Sequence, residues 1–317
     1  MNEMIKQAAA FLRERDNFDI LTHDFPDGDT LGSGFALCIA LQSIGKKARV
    51  ITTGVPKDFI FLQEGIVPMS FDTQTVVSVD VADEKLLGKN REAYAGKIDL
   101  CIDHHRTNVI QAPLRLVDAE AAANCEILYY LLPELGAELT RGVRNNLYTG
   151  IATDTGCFRY TNTTAKTLRT AAALVELGCD TAYINKVMFE TKTKKRMALE
   201  REILDTMEYC CGDRCAIIAA TLDIQNRVGV CDGELEGLAS IPRQIEGVEI
   251  GITMREKEPG VFKVSVRTDE TRVNAATFCS QFGGGGHAAA AGCTVKGTLE
   301  QAKAQLEKAA GEALWTA

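Results

Sequence analysis

The sequence has no long hydrophobic run. No stretch of about 18 apolar residues occurs among its 317 residues, which excludes a helix that spans a membrane. The first sixteen residues mix charges such as Glu3, Lys6 and Arg13 with alanines, so they predict an amphipathic helix rather than a signal peptide. We therefore expect a cytoplasmic protein with no membrane partner.

Paired cysteine motifs are also missing. Eleven cysteines are scattered along the chain, and no two of them form a CxxC pair. Their single cluster, Cys210, Cys211 and Cys215, matches no zinc-site spacing. The pattern argues against a thiolate zinc centre and predicts free thiols in a reducing cytosol.

Positive charge is in deficit. The chain has 35 lysines and arginines against 43 aspartates and glutamates, which gives a formal net charge of −8. Proteins that wrap long duplex DNA neutralise many phosphates with cations, so this balance argues against such a partner. It remains compatible with a small anionic substrate held by a few local cations and metal ions.

The length favours two domains, because one hydrophobic core rarely serves 317 residues. Hydrophobic periodicity predicts strands at 18–22, 47–51, 75–79, 97–102, 114–117, 216–222, 248–254, 261–267 and 293–296. It predicts helices at 119–132, 141–153, 164–177, 181–189, 191–210, 274–281 and 299–314. We therefore expect an α/β protein: a parallel-sheet catalytic domain with helices on both faces (1–190), a helical connector (191–212) and a smaller α/β domain (213–317).

The connector carries a basic run. We interpret it as a solvated helix face, with a cationic wall of the cleft as the alternative. Its members are Lys192, Lys194, Lys195 and Arg196.

Histidine is scarce, and every histidine lies in a stretch that looks like a site motif. The four are His23, His104, His105 and His287. Acids accompany three of them at the ends of predicted strands or helices, where the carboxyl ends of parallel strands share one edge of a sheet. The candidate ligands are His23, Asp27, Asp29, Asp80, His104 and Asp154. Such a set exceeds the needs of one ion and predicts two divalent ions with a bridging carboxylate; its many oxygens favour manganese.

Other residues are candidates for supporting roles. His105, next to a ligand, is placed to stabilise charge on phosphoryl oxygens, and we expect Asp103 to orient His104. The glycine run Gly283–Gly286 before His287 predicts a backbone cradle for phosphate, although flexible linkers have the same composition. Arg267, at a strand end, is a candidate for a phosphate contact or an ordinary exposed arginine.

These motifs resemble those of a known family. His23-x3-Asp27-x-Asp29, Asp80, Asp103-His104-His105 and Asp154 resemble the motif series of the DHH phosphoesterases. The Arg267 strand and the stretch from Gly283 to His287 resemble the DHH-associated C-terminal domain. The similarity spans nearly the whole chain, and the short two-domain build is similar to the bifunctional oligoribonucleases (nanoRNases) that also dephosphorylate pAp.

The resemblance implies a manganese-dependent hydrolase with its active site in the cleft between the domains. It would act on short oligoribonucleotides as an exoribonuclease, on pAp as a 3′-phosphatase, or on both. His23, Asp27 and Asp80 would hold one ion, and the other would be held by Asp29, Asp80, His104 and Asp154. The nucleotide would be bound by Arg267, Gly284, Gly285, Gly286 and His287. One departure is Asn124-Cys125, where small hydroxyl residues are expected, so a contact there stays open.

Three alternatives remain at this point. The same chemistry would serve cyclic or linear dinucleotides of the di-AMP type. A manganese pyrophosphatase shares the N-terminal motifs, but its site would favour a Lys and Arg cluster over GGGGH. A non-catalytic nucleotide sensor would lack a metal ligand, and none is missing. The sequence leaves the oligomeric state open, a homodimer included.

Overall fold

The computed structural model describes residues 2–235, 237–269 and 272–315. The chain divides into two compact units, Met1–Thr191 and Lys192–Ala317. The first unit contains a five-stranded sheet and the second a six-stranded sheet, each accompanied by helices. The prediction of an α/β protein with a sheet in each part is therefore confirmed.

The first unit alternates strands and helices. Its strands are β1 (Phe18–Leu21), β2 (Ala48–Ile51), β3 (Thr75–Val79), β4 (Leu100–Asp103) and β5 (Leu114–Val117). Its helices are α1 (Asn2–Glu14), α2 (Gly28–Ser43), α3 (Arg91–Tyr94), α4 (Asn124–Leu135), α5 (Arg141–Asp154), α6 (Ala165–Glu176) and α7 (Thr181–Asn185). Two 3-10 helices, Lys57–Gln63 and Glu84–Asn90, and a π-helix, Lys186–Glu190, also belong to it.

The sheet of this unit is parallel and buried on both faces. The strand order is β2-β1-β3-β4-β5, and each neighbouring pair is parallel, so β5 is the edge strand that the sequence predicted. Ile20 and Val77 belong to the core formed with the long helices, whereas Leu21 and Val76 pack with Leu87 of a 3-10 helix. Successive side chains of a strand point to opposite faces of the sheet. These continuous apolar runs therefore contribute core residues to both faces.

Helix α4 begins later than its sequence indicates. The alanine-rich stretch after Asp118 predicted a helix from residue 119, but helical structure begins at Asn124. The amide of Ala121 donates instead to the carbonyl of Asp118 in a turn, and the Ala122 amide donates to the Glu126 carboxylate. The first two amides of α4, those of Asn124 and Cys125, donate to the distant Asp29 carboxylate, and these tertiary contacts override the local helix propensity of the alanines.

The second unit has its own set of elements. Its strands are β6 (Glu208–Cys210), β7 (Cys215–Ala220), β8 (Ile250–Glu258), β9 (Val261–Thr268), β10 (Gly285–Gly286) and β11 (Ala290–Lys296). Its helices are α8 (Lys194–Leu204), α9 (Leu222–Val228), α10 (Ala275–Ser280) and α11 (Leu299–Trp315). Short 3-10 helices span Asp232–Leu235, Leu238–Ser240 and Pro242–Gln244.

The sheet of the second unit is mixed, with the order β10-β11-β9-β8-β7-β6. Strands β8 and β9 form the predicted hairpin, whereas β7 and β8 are parallel. The helix predicted to run to Cys210 was wrong at its end: it stops at Leu204, because Glu208–Cys210 pairs with β7 instead. Sequence patterning also missed helix α9, which Thr221 caps by accepting from the Ile224 amide.

The basic run lies at the start of α8. Glu200 pairs with Lys192 at 2.8 Å and with Arg196 at 2.7 Å, and Lys195 donates to the Gly229 carbonyl. Much of its charge is therefore engaged within its own unit, which favours the interpretation as a solvated helix face. Within the described ranges, no helix is both long and apolar enough to traverse a bilayer.

Candidate active site

The carboxyl ends of three adjacent strands gather the acidic and imidazole side chains of the first unit. His23 follows β1, Asp80 follows β3, and Asp103, His104 and His105 end β4 or follow it. Because β1, β3 and β4 are parallel neighbours, their carboxyl ends meet at one edge of the sheet.

Helix α2 contributes two aspartates through its first turn. Asp27 is the N-cap, and its Oδ1 accepts the amides of Asp29 and Thr30 at 3.1 Å each. The Asp29 carboxylate is buried and accepts the amides of Asn124 at 2.5 Å and Cys125 at 2.9 Å. Both donors are backbone amides. Positions 124 and 125 lack the hydroxyl side chains expected from the resemblance, but the two hydrogen bonds to Asp29 do not depend on them.

Asp154 reaches the same place because α2 and α5 pack closely. A Cβ on Gly150 of α5 would lie 2.6 Å from Asp29 Oδ1 and 2.3 Å from Cys125 Sγ. A Cβ on Gly28 would lie 2.3 Å from Thr153 Oγ1. Glycine at both positions lets the start of α2 meet the end of α5, and this contact sets Asp154 beside Asp29.

One group of ligand atoms surrounds His23. Its Nε2 lies 3.7 Å from Asp27 Oδ2 and 3.9 Å from Asp80 Oδ2. A second group surrounds His104, whose Nε2 lies 3.8 Å from Asp29 Oδ2 and 3.5 Å from Asp154 Oδ2. The six candidate ligands named from the sequence thus lie in two groups of three or four side chains.

Asp80 belongs to both groups. Its Oδ2 faces His23, whereas its Oδ1 lies 3.4 Å from His104 Nε2. Its backbone is left-handed, with φ of 57°, and its amide donates to the Ile102 carbonyl of β4. Aspartate tolerates this conformation better than most residues, and strained backbone of this kind concentrates at functional sites.

The pKa values of the buried carboxylates are raised by burial and, to a smaller extent, by mutual repulsion. Burial, reinforced by Asp80 and Asp154, raises the pKa of Asp29 well above its ordinary range. Burial is also the main cause that raises the pKa of Asp154 to about 7, with His104 opposing. Burial alone would lower the pKa of His104, but contact with Asp80 and the charges of the nearby carboxylates raise it to about 10. The ionised forms of Asp29 and Asp154 are therefore disfavoured unless further positive charge lies beside them.

This donor set fits divalent cations. In the described part of the chain, Asp80 Oδ1 is buried and accepts no hydrogen bond. Three sets of atoms lie close enough to share an ion: His23, Asp27 and Asp80; Asp29, His104 and Asp154; and Asp80, His104 and His105. Cations would offset the repulsion between the buried acids and engage the orphaned oxygen. Carboxylate and imidazole donors suit manganese and related ions, although they do not single out one metal.

The two neighbouring histidines are held differently. Nδ1 of His104 lies 3.2 Å from the Ala121 carbonyl, so it carries the proton and leaves Nε2 free to ligate. Nδ1 of His105 lies 2.8 Å from Asp103 Oδ1. The expectation that Asp103 orients the His104 ring is therefore wrong: its contact to His104 is with the backbone amide, and the ring that it holds is that of His105.

Asp103 is itself fixed by residues that sequence patterning missed. The side-chain Nδ2 of Asn108 donates to Asp103 Oδ2 at 2.5 Å and to the Val81 carbonyl at 3.0 Å. Arg115 in turn donates to Asn108 Oδ1 at 2.8 Å. Contact with His105 is the largest of the causes that lower the pKa of Asp103 against the effect of burial. The carboxylate is thus a charged anchor for His105.

The remaining candidates lie in the second unit. Arg267 on β9 is opposite Ala290 of β11, and Ala290 exchanges backbone hydrogen bonds with His287. The pairing places Arg267 and His287 at one end of this sheet. Two of the glycines serve packing: a Cβ on Gly284 would lie 2.2 Å from the Gly292 carbonyl, and one on Gly286 would lie 2.6 Å from the Ala290 carbonyl.

Comparison with known proteins identifies both units. Residues 17–151 match the DHH family, N-terminal domain, and residues 216–315 match the DHHA1 domain. The bifunctional oligoribonuclease and PAP phosphatase NrnA of Thermus thermophilus is 33% identical over 303 residues, which cover 93% of this chain and 89% of that protein.

Solved structures share the fold. An exopolyphosphatase-related protein from Bacteroides fragilis superposes with a TM-score of 0.88 at 23% identity, over 100% of this chain and 96% of its own. RecJ from Thermus thermophilus in complex with Mn²⁺ superposes with a TM-score of 0.55 at 16% identity, over 97% of this chain and 55% of its own. Given the near full-length relative, this chain belongs to the DHH family of phosphoesterases, with a DHH domain followed by a DHHA1 domain.

Proposed function

We propose that this phosphoesterase hydrolyses short oligoribonucleotides, as an exoribonuclease, and the 3′-phosphate of pAp. The relative that is 33% identical along 93% of the chain is named for both activities. The observation that carries the proposal is the double role of Asp80, which directs one carboxylate oxygen to the His23 group and the other to the His104 group. That arrangement suits hydrolysis at phosphorus with two divalent ions.

We propose manganese as the ion at both positions. His23, Asp27 and Asp80 would hold one ion, and Asp29, Asp80, His104 and Asp154 the other. Divalent ions supply a lowered pKa for an attacking water and charge stabilisation for the phosphate oxygens. RecJ, which shares the fold, was solved with Mn²⁺.

His105 is proposed to contact a phosphoryl oxygen of the substrate. The Nδ1 atom of His105 contacts Asp103, so Nε2 is the ring nitrogen that would meet the substrate. The His105 side chain lines a cavity of about 270 Å³ together with His23, Asp80 and Asp154. A donor in that position stabilises the charge that develops on phosphorus-bound oxygens. Asp103 does not line this cavity and is proposed as a positioning residue.

The second unit is proposed to bind the nucleotide. Arg267 offers a planar guanidinium that suits phosphate, and His287 lies at the same end of the sheet through its contacts with Ala290. The backbone of Gly284, Gly285 and Gly286 borders His287 and is proposed as part of the same surface. Gly285 supports this role best, because it is exposed and internal packing does not require a glycine there: a Cβ would meet no atom within 4 Å. The space beside its backbone is therefore open to a ligand.

The direct test offers four substrates to the purified protein in the presence of manganese. They are pAp, the linear dinucleotide pApA, a five-residue RNA and pyrophosphate. We expect release of phosphate from pAp and of mononucleotides from the RNA, with loss of both activities in EDTA. Hydrolysis of pApA alone would favour a dinucleotide phosphodiesterase. Turnover of pyrophosphate alone would favour a pyrophosphatase, and binding without any turnover a nucleotide sensor.

A further inference from the structure

An aromatic side chain lies at the mouth of the metal-ligand cluster. Phe25 is 87% exposed and lies in the loop between His23 and Asp27. Single exposed apolar residues are common on protein surfaces, so exposure alone says little. The position of this ring is informative because its loop also carries two of the proposed metal ligands.

The loop that carries Phe25 is held on both sides. The Asp24 amide donates to the Leu86 carbonyl at 2.7 Å, and the Asp24 carbonyl accepts from Thr53 Oγ1 at 2.7 Å. On the other side, Pro26 restricts the backbone and Asp27 caps α2. The ring is therefore displayed on a fixed backbone, so binding a ligand there would order little more of the chain.

Phe25 and the cluster line one cavity. This cavity of about 270 Å³ is lined by the proposed ligands His23, Asp27, Asp80 and Asp154 and by His105, and Asp24 and Lys85 add two further charged side chains. Phe25 and Leu86, which is 46% exposed, supply its apolar part. Two residues of extended chain span at most about 7 Å, so the Cα atom of Phe25 lies within about 7 Å of the Cα atoms of both His23 and Asp27. A ligand that combines a phosphate with an apolar ring system fits this mixture of charged and apolar lining residues.

We propose that Phe25, with Leu86 beside it, stacks against the nucleobase of the nucleotide whose phosphate meets the cluster. The inference rests on the proposed nucleotide substrates and adds a residue that selects for them. Every base has a π-face, so stacking on one aromatic ring favours nucleotides over base-free phosphates with little preference among bases.

The test compares pAp with a base-free analogue in which a tetrahydrofuran sugar carries the two phosphates. Phe25→Ala should raise KM for pAp about tenfold, the size of effect that removal of a stacking aromatic produces. It should leave kcat for pAp and both parameters for the analogue within about twofold, since stacking acts on binding. Phe25→Trp should keep the wild-type KM, whereas Phe25→Leu, which is apolar without a π-face, should raise it. Leu168→Ala, at a residue 52% exposed on α6, is the matched control.

Two results with Phe25→Ala would overturn the proposal: an unchanged KM for pAp, or an equal loss on pAp and on the base-free analogue. Failure of the proposed function looks different, because the wild-type protein would then turn over neither pAp nor the five-residue RNA. Equal KM values in Phe25→Leu and wild type would also overturn it, since the π-face would then be irrelevant.

Discussion

His105 Nδ1 and Asp103 Oδ1 lie 2.8 Å apart, so a buried carboxylate holds the ring that faces the cavity. The same contact is the leading cause that raises the pKa of His105 above its ordinary value. The cavity-facing imidazole is thus kept in one orientation and favoured in its charged form.

Asp103→Asn should lower kcat by up to about 100-fold, because a His105 ring that is no longer held in place would lose much of the effect that one charge-stabilising donor supplies. If charged His105 is the active form, activity falls as pH rises through its pKa. The substitution removes the contact that raises this pKa, so the alkaline limb of the kcat profile should move to lower pH. Asp99→Asn, next to the same strand, is the control. An unmoved limb with normal kcat would contradict the role of Asp103.

Asp80→Ala should abolish metal-dependent turnover, because both ligand groups lose a member. Manganese bound per chain, measured by titration calorimetry, should fall below the two ions proposed for the wild type. Asp83→Asn is the matched control: Asp83 caps a 3-10 helix three residues away and lies outside the ligand groups. Near-normal activity in Asp80→Ala would remove the basis for a shared carboxylate.

Manganese should stabilise the protein more as pH rises. The pKa of Asp154 is raised to about 7, and the pKa values of His23 and His105 are also raised. A raised folded-state pKa contributes stability that is present at low pH and lost as pH rises through it, so the metal-free protein should lose Tm between pH 6 and pH 8. Protons compete with metal ions for these side chains over the same pH range. Manganese should therefore bind more tightly, and raise Tm by more, as pH increases from 6 to 8.

The measurement is the difference in Tm between manganese-loaded and EDTA-treated protein by scanning fluorimetry. It should widen from pH 6 to pH 8. A difference that is constant across this range would show that proton and metal do not compete at these side chains. In Asp154→Asn, which lacks the titrating carboxylate, the pH dependence should be weaker.

Gly150→Ala should destabilise the chain by about 1–3 kcal/mol, because the new methyl group would overlap Cys125 Sγ and Asp29 Oδ1. Denaturant unfolding measures the loss, with Cys125→Ala as the control. The double variant should be more stable than the sum of the two single effects predicts, since removal of Sγ relieves the shortest contact of the new methyl group. Additive effects would mean that α4 and α5 move apart enough to admit the methyl group without contact with Cys125.

His287→Ala should raise KM for pAp while manganese binding stays normal, because His287 belongs to the second unit and is a member of none of the ligand groups. Calorimetry with manganese and steady-state kinetics separate the two effects. Lys263→Ala, an exposed residue on β9, is the control. Loss of manganese binding with unchanged kinetics would reverse the assignment.

Much of the fold was readable from hydrophobic periodicity. Strands at 75–79 and 114–117 have the predicted bounds, because short apolar runs flanked by polar residues carry their own signal. The errors lie where tertiary contacts compete with propensity. Residues 119–123 favour a helix locally, yet they form turns so that the first amides of α4 can reach Asp29.

By itself the sequence determined which side chains could serve as ligands, because residues just beyond the carboxyl ends of parallel strands lie together at one edge of the sheet. Only the tertiary structure decided how those side chains are held. Asp29 is bound by two amides distant in the chain, Asp103 holds His105 and not the His104 ring, and Gly150 admits Asp29 beside α5. Backbone amides and missing side chains leave no pattern in a sequence, because their effect depends on the groups that pack against them.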